Sequence, residues 1–193
     1  VTIIKLGGSL MSLPDLNLRM GSLLKKISGR CLIVPGGGAA ADEIRRLDRL
    51  VPLSATQSHW FAIDAMSFNA HVLARLFGRE FAVTASREEA ESAWRASCYS
   101  ILDSVRFLIA DEQSMSVGLE HPAATVLPPS WDVTSDSIAA WIAQRWPAQR
   151  LVIVKSCDQP AGSLMEWSKA SAVDPFFPHV AQGLSVEWVS LLG

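Results

Sequence analysis

Short runs of aliphatic and β-branched residues alternate along the chain with stretches whose apolar residues recur at helical spacing. Val1-Thr-Ile-Ile-Lys-Leu6 stops at Gly7-Gly8, which predicts a buried strand entering a tight loop. Over 13–28, Leu16, Met20, Leu23, Leu24 and Ile27 fall on one helical face, with Gly29 as the stop. Cys31-Leu-Ile-Val34 predicts a second buried strand, ended by Pro35-Gly-Gly-Gly38, and a helix follows over 39–50. A longer helix is predicted over 56–77, closing at Gly78 and apolar enough to be buried on more than one side. Then come a strand over 81–84 and a helix over 86–96, opened by the capping box Ser86-Arg-Glu-Glu89. Strands are predicted over 105–110, 151–155 and 185–192, with a helix over 135–146. Residues 111–129, which hold three prolines, read as irregular. This alternation predicts one domain over 1–193, a three-layer α/β/α sandwich with a mostly parallel central sheet.

Composition narrows the class. The 193 residues are 49% hydrophobic and 19% charged, enough apolar surface for a sizeable core and too little charge for a disordered chain. The net charge is -2 and no Lys/Arg block occurs, so nothing argues for a nucleic-acid partner. No stretch approaches the roughly 20 apolar residues of a membrane span. Val1 to Leu6 is too short an apolar run for a signal peptide. Cys31, Cys98 and Cys157 lack the close spacing of a metal site and read as reduced thiols, giving a soluble, cytoplasmic expectation. His59, His71, His121 and His179 have no metal-ligand spacing, so no resident metal is expected.

Three segments carry candidate chemistry. In Lys5-Leu6-Gly7-Gly8-Ser9 a strand brings a lysine to its carboxyl end, and two glycines bare the backbone amides, a setting that favours an anion. A plain strand-to-helix turn with a snorkelling lysine explains the same residues. Pro35-Gly36-Gly37-Gly38 is a second strand-then-helix loop, neither a Walker loop nor a dinucleotide fingerprint. Its three glycines suit a close approach to the backbone, or a flexible turn. In Trp131-Asp-Val-Thr-Ser-Asp-Ser137, Thr134 or Ser135 can cap a helix whose first turn holds Asp136. Asp136 is then either a favourable end charge or an organiser of nearby lysines.

Together, in this order, these segments resemble the amino-acid-kinase superfamily over nearly the whole chain. Within it the stretches Ser58 to Met66, Trp131 to Ser137 and Ala172 to Pro178 are similar to the kinases of methanofuran biosynthesis, which phosphorylate an aminomethylfuran-methyl phosphate in one-carbon cofactor synthesis. The resemblance implies a phosphotransferase with ATP and Mg²⁺ and a small, phosphate-bearing acceptor. It implies Lys5, Asp136 and Lys155 as catalytic. It gives Gly7, Gly8, Ser9, Gly36, Gly37 and Gly38 to the phosphates, and Thr134, Ser135 and Asp158 to the nucleotide. It also implies a homo-oligomer, a dimer or higher.

Two departures are visible. Lys155-Ser-Cys-Asp-Gln-Pro160 has no glycine after Asp158, and a later glycine-lysine nucleotide segment of the family has no clear counterpart. Lys155 either supplies a second positive charge or simply ends its strand. A non-catalytic binding or assembly subunit on the same fold is therefore the alternative, and a uridylate-type nucleoside monophosphate kinase another. On the long helix, Trp60 and Asp64 share a face and could meet an amine-bearing acceptor. A solvated or arginine-paired Asp64 is the blander reading. Of the seven tryptophans, Trp141 and Trp146 read as core or subunit contacts, and Trp131 as a wall near a ring or a plain packing residue.

Overall fold

The computed structural model describes residues 1–116, 127–146 and 148–192. Six strands form one sheet: β1 (Thr2–Leu6), β2 (Cys31–Pro35), β3 (Phe81–Thr84), β4 (Tyr99–Leu102), β5 (Arg150–Lys155) and β6 (Val186–Ser190). Their order is β3-β4-β2-β1-β5-β6, and every neighbouring pair is parallel. The helices are α1 (Leu16–Leu24), α2 (Gly38–Leu50), α3 (Ala55–Phe77), α4 (Arg87–Arg95), α5 (Ser104–Ser116), α6 (Ser135–Arg145), α7 (Leu164–Lys169) and α8 (Phe177–Val180). This is the α/β/α sandwich the sequence predicts, with a sheet parallel throughout.

Alternation along β1 sorts its side chains between two cores. Ile3 packs with Leu32, Val34, Leu151 and Ile153 against Ile138, Ala139 and Ile142 of α6. Ile4 and Leu6 point the other way, with Ile33, Val152 and Val154, onto Leu16, Met20 and Leu24 of α1. The long helix α3 serves both, with Ile63 and Met66 in the first core and Ala70 and Leu73 in the second. Its start is a capping box: Ser54 Oγ accepts from Gln57 N, and Gln57 Oε1 accepts from Ser54 N. Trp141 and Trp146 are core residues against Phe107.

Several expected elements change. Residues 105–110 are not a strand but the opening of α5, and the strand is Tyr99–Leu102. A short apolar run does not separate helix from strand. The deciding signal is local, because Asp103 Oδ1 accepts from Arg106 N and Asp103 O from Phe107 N, which starts a helix. Residues 111–116, expected to be irregular, belong to α5, which runs to Ser116. His121 and Pro122 lie outside the described residues. The helix expected over 13–28 is the shorter Leu16–Leu24, preceded by a 3-10 turn over Gly8–Ser12. The Ser86 box is half formed: Ser86 Oγ accepts from Glu89 N, but the Glu89 carboxylate takes Ala85 N.

Leu73 is fully buried at the α3–sheet contact. Leu73→Ala is expected to lower unfolding free energy by about 2–5 kcal/mol in urea titrations at unchanged m-value. A loss well under 1 kcal/mol would place this contact outside the core.

Candidate active site

The site forms where β1, β2 and β5 end. Lys5 pairs in register with Val34 of β2 and Ile153 of β5. It points to the Ile3 side of the sheet, so its stem is buried while its ammonium reaches the carboxyl end. One step on, Gly7 N donates to Val154 O at 2.8 Å, which brings Lys155 alongside Gly7. Two lysines from neighbouring strands thus arrive at one place.

The two glycine loops meet backbone to backbone. A Cβ on Gly8 would lie 2.2 Å from Gly38 N, and one on Gly36 would lie 2.7 Å from Gly8 N and 3.1 Å from Ser135 Oγ. Gly38 opens α2 at φ +53°, a left-handed conformation that glycine adopts without strain. Gly36 is held from both sides: its N–H donates to Leu6 O at 2.7 Å, and Asn69 Nδ2 of α3 donates to its carbonyl at 2.7 Å. Asn69 is thereby explained as a buried polar residue on an otherwise apolar helix face.

The first turn of α6 delivers Asp136 to the lysines. Lys5 Nζ lies 2.6 Å from Asp136 Oδ1, and Lys155 Nζ donates to Oδ2 at 2.9 Å. Lys5 is 2% exposed and Asp136 4%, so this pair is shielded from water, while Lys155 is only partly buried. Burial lowers the Lys5 pKa to about 8; Asp136 opposes that shift and Lys155 adds to it. For Asp136 burial pushes upward, but Lys5 and Lys155 outweigh it and hold the carboxyl below its usual range. An ammonium carries three N–H donors, so the contact of Lys5 with Asp136 Oδ1 does not exhaust its capacity for a further acceptor.

These groups line a cavity of about 280 Å³. Lys5, Gly7, Gly8, Ser9, Gly37, Gly38, Thr134, Ser135, Asp136 and Lys155 all face it, with Gly36 packed just behind. Three expected residues do not. Trp60 packs into the first core, Asp64 is exposed on the outer side of α3, and Asp158 is exposed beyond β5. The face of α3 that reaches the cavity carries His59, Ala62 and Met66, an i, i+3, i+7 stripe one position away from Trp60. Asp42 and Arg45 of α2 close the rim with Trp131, whose indole N–H donates to Asp48 Oδ2 at 2.9 Å under the Arg45 guanidinium, 4.6 Å from the ring centre. Helical phase could have found His59 and Arg45; the Trp131–Asp48 contact joins residues too far apart for any local signal.

The sequence model described as "Amino acid kinase family" matches residues 1–159. The chain belongs to the amino acid kinase family. This kinase is 24% identical over 189 residues to the [5-(aminomethyl)furan-3-yl]methyl phosphate kinase of Methanocaldococcus jannaschii, covering 91% of this chain and 80% of that relative. Its fold is similar to solved structures of the uridylate kinase of Archaeoglobus fulgidus (TM-score 0.64, 18% identity, 100% of this chain and 90% of that one) and the UMP kinase of Bacillus anthracis (TM-score 0.65, 13% identity, 98% and 86%). As a family member it is a phosphotransferase. No helix among the described residues is long and apolar enough to cross a membrane.

The glycine contact predicts a steric result. Gly8→Ala cannot fit without separating the loops, so the variant is expected to lose at least a hundredfold in turnover. Wild-type rates in ADP-release assays of a folded Gly8→Ala protein would contradict that close approach.

Proposed function

We propose that this kinase transfers the γ-phosphoryl group of ATP to a small acceptor that already bears a phosphate. The observation that carries this reading is the convergence of the Lys5 and Lys155 ammoniums on Asp136 between two glycine loops. An acceptor oxygen would attack the γ-phosphorus as the bond to the β,γ-bridging oxygen breaks, with ADP leaving. No protein nucleophile is required, because such transfer depends on alignment and charge. Lys5 and Lys155 would follow the charge of the phosphoryl group in transit, and Asp136 would hold them. The amides of Gly7, Gly8, Gly37 and Gly38 and the Ser9 hydroxyl would cradle phosphate oxygens, with Thr134 and Ser135 at the start of α6 facing the nucleotide.

Mg²⁺ fits poorly as a protein-held ion. Both Asp136 oxygens face lysines, Asp42 pairs with Arg45 at 2.8 Å, and no group of three His, Cys, Asp or Glu side chains forms a metal site among the described residues. The ion would come with the nucleotide as substrate.

The far end of the cavity supports a compact acceptor with a flat body. Ala62, Met66, Trp131, Val133 and Ile138 give it apolar walls, and 280 Å³ falls just below the roughly 300–1,000 Å³ of small-molecule sites. His59, whose burial lowers its pKa from 6.5, stays neutral near pH 7 and can accept a hydrogen bond from an amine. An aminomethylfuran-methyl phosphate, the acceptor in the relative's name, meets these requirements. Phe61, Phe68 and Leu47 are exposed on α2 and α3, a surface suited to a homo-oligomer.

The test is ADP release with ATP, Mg²⁺ and a panel holding [5-(aminomethyl)furan-3-yl]methyl phosphate and UMP. The furan phosphate is expected to turn over and UMP to be poor; the reverse preference would replace the acceptor assignment. Lys5→Ala should cut kcat by two or more orders of magnitude while keeping the parent's circular dichroism. Parent-like turnover in Lys5→Ala would end the mechanism. With its pKa near 8, Lys5 is charged at pH 7 and loses its proton above pH 8. The kcat/KM profile should therefore fall on that alkaline side.

A further inference from the structure

Asp174 belongs to none of the roles above, yet it is a buried carboxylate, 6% exposed, directed into the start of α6. Its Oδ2 accepts from Thr134 N at 3.0 Å, Thr134 Oγ1 at 2.9 Å and Ser137 N at 3.0 Å. Its Oδ1 accepts from Phe177 N at 2.9 Å and from Ser137 Oγ. A helix start ordinarily receives such bonds from its own N-cap side chain. Thr134 is the N-cap of α6 and makes none; its hydroxyl donates outward to Asp174 instead. The segment after α7 thus supplies the cap from a distance, and Phe176 N adds a bond to Asp132 O at 3.2 Å just before that turn.

What this cap brackets gives it meaning. Thr134 and Ser137 are tied to one carboxylate, and between them lie Ser135 and Asp136, both facing the cavity. We propose that Asp174 is a positioning residue for phosphoryl transfer: it fixes the first turn of α6 so that Asp136 stays seated between Lys5 and Lys155. The proposal rests on the phosphotransfer reading of that triad. Charge contacts in a buried site weaken steeply with distance, and displacements of about 1 Å at reacting groups cost roughly a hundredfold in rate. A cap that only stabilised the helix would leave those contacts and the rate alone.

Asp174→Asn tests this with almost no change of shape. However its amide turns, the NH₂ faces a backbone N–H, that of Phe177 on one side or those of Thr134 and Ser137 on the other. Two readouts are taken well below the melting temperature: kcat from ADP release, and the Lys5 titration midpoint by NMR of ¹³C-labelled lysine. The charged groups facing Lys5 are Asp136 from α6 and Lys155 from β5, with Asp42, Arg45 and His59 on the same cavity walls; the substitution alters none of them. In the parent, burial of Lys5 sets the expected midpoint at about 8. In Asp174→Asn it should move lower as Asp136 draws back, and kcat should fall at least tenfold.

Leu24→Ala, a destabilising change in the α1 core, should lower the melting temperature but keep the parent kcat and midpoint. If Asp174→Asn fails to fold, Ser137→Ala removes one bond of the cap and should move both readouts in the same direction by less. Parent-like kcat and midpoint in the folded variant would overturn the positioning role. A parent without turnover would strike the phosphotransfer reading, and the NMR midpoint would still decide whether Asp174 seats Asp136.

Discussion

One buried carboxylate between two ammoniums is the constraint from which the rest of this site follows. Removing three ionised groups from water is unfavourable, and a single pair repays it poorly. The Asp136 triad works because its members arrive rigidly, two from adjacent strands of one sheet and one from a helix start. The arrangement holds more positive than negative charge, and the burial of Lys5 and Asp136 limits how far water compensates the excess. An anionic group entering the cavity completes the electrostatics. This is the condition wanted where phosphoryl charge must be held in passage.

The same constraint explains the small residues around it. A cavity that presents amides as well as ammoniums needs backbone at its surface, and the contact of Gly8 with Gly38 leaves no room for a side chain. Asn69 and Asp174 do matching work from behind. Each is a buried polar group reaching from a distant segment to pin one wall, Asn69 the second glycine loop and Asp174 the start of α6.

Much of this was legible in the chain. The strand ends at Lys5-Leu6-Gly7-Gly8 and Pro35-Gly36-Gly37-Gly38 are local signals, and parallel pairing of β1 with β2 brings them together without further information. The helix at Ser135 was visible from its residue types, although Thr134, expected as a possible cap, makes no cap bond and Asp174 caps the turn instead. What escaped falls into two kinds. Residues 105–110 misled because a short apolar run has no period long enough to identify, and Asp103, one residue outside it, held the answer. Trp60 and Asp64 were placed by a neighbouring rather than the correct helical face, an offset of one residue that turns a side chain by about 100°. The Trp131–Asp48 and Asp174–Thr134 bonds had no local trace, since each joins segments that only the folded sheet brings near.

The alternation along β1 has a consequence for folding itself. Ile3 and Lys5 share one face of the strand, Ile4 and Leu6 the other. Had β1 entered the sheet displaced by a single residue, the ammonium would face the core of Leu10, Met20 and Leu24, on the opposite side of the sheet from Asp136. Lys5 therefore acts as a registration mark as well as a site residue. Strand pairings that would assemble the wrong cleft are also those that strand a charge in hydrocarbon, so they carry a desolvation cost that the native register avoids.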